Sequence, residues 1–212
     1  FNSDVAKTDE NVNSLEIQNY DFEAGSFSDT TTLDGKVVMA LAAADHNGSY
    51  TNSGEGLKFQ YMWQGNLKTS FTGDDELYVR LKTGNATGWT NTEEQGGFLV
   101  SSKGNGDDLK VDKIWYSFPV GEQTTVWIGP EIENYYMHAT TPSIYSPTMK
   151  QFTLGGNASA YGASTNSGFG IAYNADNGFA ISSNVVSKQT NADGKGLFTN
   201  ESQTSWATQV GY

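Results

Sequence analysis

The sequence predicts an all-β, antiparallel fold, and two observations carry that expectation. From Leu57 to Phe71, the residues Leu57, Phe59, Tyr61, Trp63, Leu67 and Phe71 share one parity, interrupted by Gly65 and Thr69. Lys58, Gln60, Gln64, Asn66, Lys68 and Ser70 share the other, with Met62 the exception. A strand sends successive side chains to opposite faces, so one face is apolar and the other polar. The second observation is the return run across the polar turn Gly73-Asp74-Asp75: Leu77, Val79 and Leu81 alternate with Tyr78, Arg80 and Lys82. The first run exceeds the roughly 5–6 residues of an ordinary strand and reaches the roughly 9–11 of a tilted membrane-crossing one. Two architectures satisfy this pattern. One is a transmembrane β-barrel with its polar face inward; the other is a soluble β-sandwich whose apolar face is the core.

Composition narrows the function classes. The chain has 212 residues, no cysteine, 24 glycines and a net charge of −12. Lack of cysteine excludes disulfides and thiolate metal sites. Residues 1–34 hold eight of the 24 acids and only one of the 12 cations, Lys7. The cations gather instead in predicted strands: Lys36, Lys58, Lys68, Arg80, Lys82, Lys110, Lys113 and Lys188. An acidic chain without a basic patch is not expected to bind nucleic acid. No run approaches the ~20 apolar residues of a membrane helix, and hydropathy is blind to barrels because half of each strand is polar.

The elements follow in order. Thr32–Ala43 predicts a strand, with Val37, Met39 and Leu41 on one face. After a polar loop comes the central hairpin, then a long loop, Asn85–Asp107, of a length usually reserved for function or disorder. Leu109–Phe118 is the next strand. Past the turn at Gly121-Glu122, Thr124, Val126 and Ile128 alternate with Thr125, Trp127 and Gly129 until Pro130. Glu131–Lys150 is irregular. Further strands are predicted around Phe152–Tyr161, Phe169–Tyr173, Phe179–Lys188 and Trp206–Tyr212, with Asp176-Asn177-Gly178 a hairpin signal. The total is about nine strands, and the alternation of short turns with long loops fails after Glu131.

Several segments together resemble cyanobacterial outer-membrane porins of the carbohydrate-selective-porin-like group, often labelled iron-uptake porins. They are LKTSFTGDDELYVRLKTGN (Leu67 to Asn85), TTLDGKVVM (Thr31 to Met39), DKIWYSFPVGEQTTVWIGP (Asp112 to Pro130), Pro142-Ser143-Ile144-Tyr145, and GKGLFTNESQTSWATQVGY (Gly194 to Tyr212). The resemblance covers most of residues 27–212. It implies an antiparallel transmembrane β-barrel of the outer-membrane porin type, here a partial barrel. Residues 1–26 would end a coiled-coil or periplasmic linker, and 27–212 would be the N-terminal part of the barrel. The implied function is passive diffusion of inorganic ions and small hydrophilic solutes, carbohydrates or iron among them, across a bacterial outer membrane. The implied partners are the lipid bilayer of that membrane and two further copies in a homotrimer. Peptidoglycan would be reached only through an N-terminal surface-layer-homology domain absent from this chain. Structural anchoring of the outer membrane to the cell wall, and a soluble sugar-binding sandwich, are the alternative functions.

The candidate site is a lumen. Its expected pore-lining residues are Lys36, Lys58, Gln60, Gln64, Asn66, Lys68, Tyr78, Arg80 and Lys82. A hydrated wall must offer hydrogen bonds to water and solute, and ranked cations in it favour anions. Glu93, Glu94, Glu131 and Glu133 are candidates for a constriction loop that counters those cations. Aromatics including Tyr61, Trp63, Trp115, Tyr116, Phe169, Tyr173, Phe179, Trp206 and Tyr212 are expected at membrane interfaces, while Trp127 has the inward parity of its strand. No catalytic residues, metal ligands or cofactors are expected. His46 and His138 are the only histidines and lie far apart, and no nucleophile, zinc, P-loop or dinucleotide motif occurs.

Overall fold

The computed structural model describes residues 30–43, 56–87, 99–100, 102–141, 148–153, 165–188 and 196–212. They form one antiparallel sheet of eight strands in simple sequence order. The strands are β1 (Thr31–Ala42), β2 (Lys58–Thr69), β3 (Glu76–Gly84), β4 (Lys110–Val120), β5 (Thr124–Ile132), β6 (Asn166–Asn174), β7 (Ala180–Ser187) and β8 (Thr204–Gly211). Every strand pairs with its sequence neighbours, and β1 and β8 are edges that do not meet, so the sheet is not closed. No helix among the described residues is long and apolar enough to cross a membrane, which says nothing about crossing by strands.

The expected ninth strand is absent from this sheet. β5 pairs directly with β6, and Phe152 lies in a short 3₁₀ turn, Lys150–Phe152. The remainder of the expected Phe152–Tyr161 strand lies outside the described residues. In the eight-stranded order of the described residues, short and long connections alternate without a break. Short connections at 70–75, 121–123 and 175–179 share one edge of the sheet, and the long ones, 43–57, 85–109, 133–165 and 188–203, share the other.

The register explains which residues share a face. Across the sheet, Leu77, Tyr116, Ile128, Phe169, Val185 and Trp206 form one continuous row. Val37, Met39 and Leu41 oppose Trp63, Tyr61 and Phe59 on the same side. This face is exposed: Met39 is 69% exposed, Phe59 70% and Trp206 78%. The opposite face holds the small interior, in which Tyr78, Trp115, Ile132, Met137 and Val186 cluster with Trp127 and Tyr136. Trp115 is therefore not at an outer interface, because it is buried on the polar face with its ring edge against Tyr78 at 3.8 Å. Trp127 packs against the same cluster, as its parity predicts.

A 3₁₀ turn, Asn134–Met137, lies on this second face and contacts β5, β6, β7 and β8. Its Asn134 and Met137 are fully buried. Glycine makes the seat possible. A Cβ on Gly170 would stand 2.6 Å from the Asn184 Cβ and 2.9 Å from the Met137 side chain. The turn is tied down by polar contacts: Asn134 Nδ2 donates to Asn184 Oδ1 at 2.8 Å, and Gln209 exchanges two hydrogen bonds with the Thr140 backbone at 2.9 and 3.0 Å.

Candidate functional site

The polar face of β1–β4 brings the expected residues together. Lys36, Gln64, Lys82 and Lys110 form one row across four strands. Asp34, Asn66, Arg80 and Lys113 form the next. Lys68 lies beyond, beside Tyr78, and Lys58 lies opposite Ala42 at the other end of β2. Two of the expected wall residues are covered: Gln60 is 4% exposed and Tyr78 6%. Tyr78 still reaches Asn66, donating from its hydroxyl to Oδ1 at 2.8 Å.

Several of these charges are paired. Arg80 donates from Nε to Asp112 Oδ2 at 2.7 Å and approaches the same oxygen with Nη2 at 2.6 Å. Its Nη1 donates to the Tyr136 hydroxyl at 2.9 Å. Lys103, from the connection between β3 and β4, reaches Asp112 Oδ1 at 3.2 Å. Lys68 pairs with Asp34 at 2.6 Å. Lys113, 3% exposed, pairs with Glu133 at 2.7 Å and donates to Thr165 Oγ1 at 2.9 Å. Thr165 also bonds the Glu133 carboxylate. Burial pushes the Glu133 carboxyl upward, but the Lys113 charge, with hydrogen bonds from Lys113, Thr165 and Tyr135, outweighs it and holds the group below its usual range. A buried cation beside its carboxylate with further hydrogen bonds is the arrangement in which such a pair is tolerated at low dielectric.

Of the four acidic constriction candidates, Glu133 lies on this face, paired with Lys113. Glu131 is exposed at the end of β5, and Glu93 and Glu94 lie outside the described residues. The acid that does counter the cations is one the sequence did not single out. Alternation allows only one of Asp112 and Lys113 to face inward. The register slips between Arg80 and Leu81, so Lys113 pairs with Arg80, Val111 with Leu81, and Asp112 is the extra residue of a bulge. Both charged side chains thereby serve the polar face. Lys103 was equally hidden, because nothing in a long loop's composition says which residue returns to the sheet.

The short-turn edge carries a second polar knot. Asp75 Oδ1 accepts from the Phe71 and Thr72 amides at 2.9 and 2.7 Å and from the Ser70 and Thr72 hydroxyls, both at 2.8 Å. Oδ2 accepts from the Tyr116 hydroxyl at 2.7 Å. Gly73 turns the chain at φ +102°, a conformation that side chains disfavour. The Tyr116 hydroxyl, then the Thr72 amide and the Ser70 and Thr72 hydroxyls, hold the Asp75 carboxyl far below the usual range against the opposing effect of burial. Both oxygens are thus committed to turn donors. No group of three or more metal-ligating side chains occurs among the described residues.

No protein-family model matches the chain, and no solved structure matches it. The chain is similar to "Uncharacterized protein alr4550" of Nostoc sp., with 34% identity over 132 residues, 57% of this chain and 22% of that protein. It is also similar to "Uncharacterized protein sll0772" of Synechocystis sp., with 28% identity over 135 residues, 61% of this chain and 24% of that protein. The chain thus spans about a quarter of the length of the curated relatives it matches.

Proposed function

We propose that this chain is a section of the wall of an outer-membrane porin, through which inorganic ions and small hydrophilic solutes diffuse passively. One observation carries the reading: burial is inverted relative to a water-soluble protein. Leu33, Val37, Met39, Leu41, Ile128, Phe169, Ile171, Trp206 and Val210 are each at least half exposed on one face. Lys113, Asn134, Asn184 and Ser182 are each at most 3% exposed on the other. A soluble monomer rarely shows a contiguous apolar patch beyond roughly 300–600 Å². A lipid-facing sheet must show one, and its lumen face must then be polar.

The open sheet fits this reading as part of a larger barrel. β1 starts, and β8 ends, at the short-turn edge. An even number of further antiparallel strands from the intact protein would close it. The matched stretch covers only 22% and 24% of the two cyanobacterial relatives, which leaves room in such proteins for further strands. The expected setting is a bacterial outer membrane, with the bilayer as partner, a homotrimeric assembly, and peptidoglycan contact only through a domain outside this chain.

The test is single-channel recording of the intact protein in a planar bilayer under a salt gradient. Stable stepwise conductance is expected. Folded protein that stays in the aqueous phase without detergent and conducts nothing would sink the proposal.

A further inference from the structure

The Asn134–Met137 turn is fastened to the sheet by a chain of side-chain amides whose polarity is set by backbone carbonyls. The Ser205 carbonyl of β8 accepts from Asn134 at 3.1 Å, and a carbonyl only accepts, so the Asn134 atom facing it is Nδ2. The same Nδ2 donates to Asn184 of β7 at 2.8 Å, so the receiving atom is Oδ1. The Asn184 Nδ2 then faces the Met137 carbonyl at 3.5 Å and the His138 Nδ1 at 3.3 Å. An imidazole nitrogen that faces a donor carries no proton, so the ring is neutral and its proton is on Nε2.

Protonation at Nδ1 sets one N–H against another. The chain has no cheap rearrangement. Turning the Asn184 amide over would offer Oδ1 to the imidazolium, but it would oppose Nδ2 to the Asn134 Nδ2. Turning Asn134 over as well would set its Oδ1 against the Ser205 carbonyl. Both asparagines are buried, so a lost bond there is not replaced by water. Nor does a carboxylate wait for the new charge. The strands packed against the turn, β5 to β8, carry two titratable side chains: Glu131 at the exposed end of β5, and Tyr173 of β6, whose hydroxyl donates to Gln123. On the turn's own segment, Glu133 is bound to Lys113 and Thr165. Tyr135 and Tyr136 are held protonated by burial, and the Arg80 that reaches Tyr136 is held by Asp112. Burial alone pushes the His138 imidazole below its usual range.

We propose that His138 is an acid-sensitive latch on the Asn134–Met137 turn, which is seated while the imidazole is neutral and is released when Nδ1 takes a proton. The sign follows from linkage. The released imidazole, with its ordinary pKa of about 6.5, binds a proton more readily than the seated one. Seating is complete above that value and is lost as the pH falls below it. The segment stays moored on either side of the latch, by Glu133 on Lys113 and by Thr140 on Gln209, so a released turn stands off the wall without leaving it. As a latch this does not rest on the porin reading; as a gate in the water path it does.

Amide hydrogen exchange across residues 133–140 of the intact protein in detergent is compared at about pH 7.5 and about pH 5, on either side of the ordinary histidine pKa. Rates are expressed as protection factors, which removes the intrinsic pH dependence of exchange. Protection in the wild type should fall about tenfold on acidification. His138→Gln keeps an acceptor that does not titrate, and its protection should change less than about twofold. Asn184→Asp offers the imidazolium a carboxylate, so its turn should be better protected at the acid pH than at the neutral one. Unchanged wild-type protection would overturn the latch, and so would an equal fall in His138→Gln or a wild-type-like fall in Asn184→Asp. In a planar bilayer, wild-type conductance should drop over the same pH range and that of H138Q should not. Conductance together with pH-independent protection would overturn the latch and leave the porin standing. The expected protection changes in a protein that conducts nothing would keep the latch and remove the porin.

Discussion

Asp75 is the side chain on which the central hairpin turns. Five donors converge on its carboxylate, two of them backbone amides of the turn itself. Its neighbour Asp74 is an exposed member of the same turn, so the adjacent acids make a direct comparison. Asp75→Asn should lower the melting temperature of the intact protein, and Asp74→Asn should leave it within about a degree. The pH dependence has a definite sign. The folded carboxyl sits below its ordinary value, so its contribution is complete above the unfolded pKa of roughly 3.9 and declines as pH falls below that. The gap between wild type and D75N should therefore be constant from pH 7 to about 5 and narrow toward pH 3. A gap that widens on acidification would contradict the assignment. Arg80 and Asp112 make a second prediction. Both are mostly buried, so Asp112→Ala should destabilise by about 3 kcal/mol by leaving the guanidinium without its partner. Adding Arg80→Gln to that variant should cost less than the sum of the two single changes, as a double-mutant cycle in denaturant would measure. Serine, threonine, glycine and aspartate at a turn are visible in the sequence. That a single aspartate gathers all the donors depends on Tyr116, 41 residues away, and no local pattern announces it.

The Asn134–Met137 turn shows what an element needs in order to sit inside a sheet. It requires small residues beneath it, and the sequence supplies them as Gly168, Gly170 and Ala172 on the buried parity of β6. Gly170→Val would drive a branched side chain into Asn184 and Met137, at a cost of about 1–3 kcal/mol for overpacking. The expected result is an unseated turn: a cysteine at position 137, unreactive in the otherwise native protein, should become labelled by a thiol reagent in the G170V background. Equal labelling in both would mean the turn does not rest on that glycine. The strands themselves were legible wherever one face alternates cleanly, as in β2, β3 and β5. At Phe152–Tyr161 the strand signal is weaker, because small residues alternate there without a load of large apolar side chains on either parity, and Phe152 itself lies in a 3₁₀ turn. Alternation of that kind matches a strand and a glycine-rich connection equally. The bulge at Asp112 defeats alternation in the opposite way, since one inserted residue brings two neighbours to the same face. Register is set by pairing between strands, and a single strand's pattern does not contain it.

At the scale of the whole molecule the question is which face meets water, and substitution on the two faces answers it directly. The outer row runs through Ile128, Phe169 and Trp206 and the inner one through Trp127, Gly170, Asn184 and Ala207, one residue away along each strand. A cation placed midway up a lipid-facing strand costs roughly 2–4 kcal/mol, and one placed on a hydrated wall costs little. Val37→Lys, Ile128→Lys and Ile171→Lys should each lower the folded fraction recovered in lipid vesicles, with Ile128→Lys strongest if its row lies nearest the bilayer midplane. Thr125→Lys lies on the other face and should insert normally, leaving folding within about 0.5 kcal/mol of wild type. The contrast separates a membrane wall from a sheet whose apolar face is covered by protein. In the second case the outward lysines would also destabilise, but they would do so equally in detergent-free buffer, where the native protein would already be folded. Folding that depends on a bilayer or detergent, together with a penalty confined to the outer parity, is the joint result that the proposed porin wall predicts.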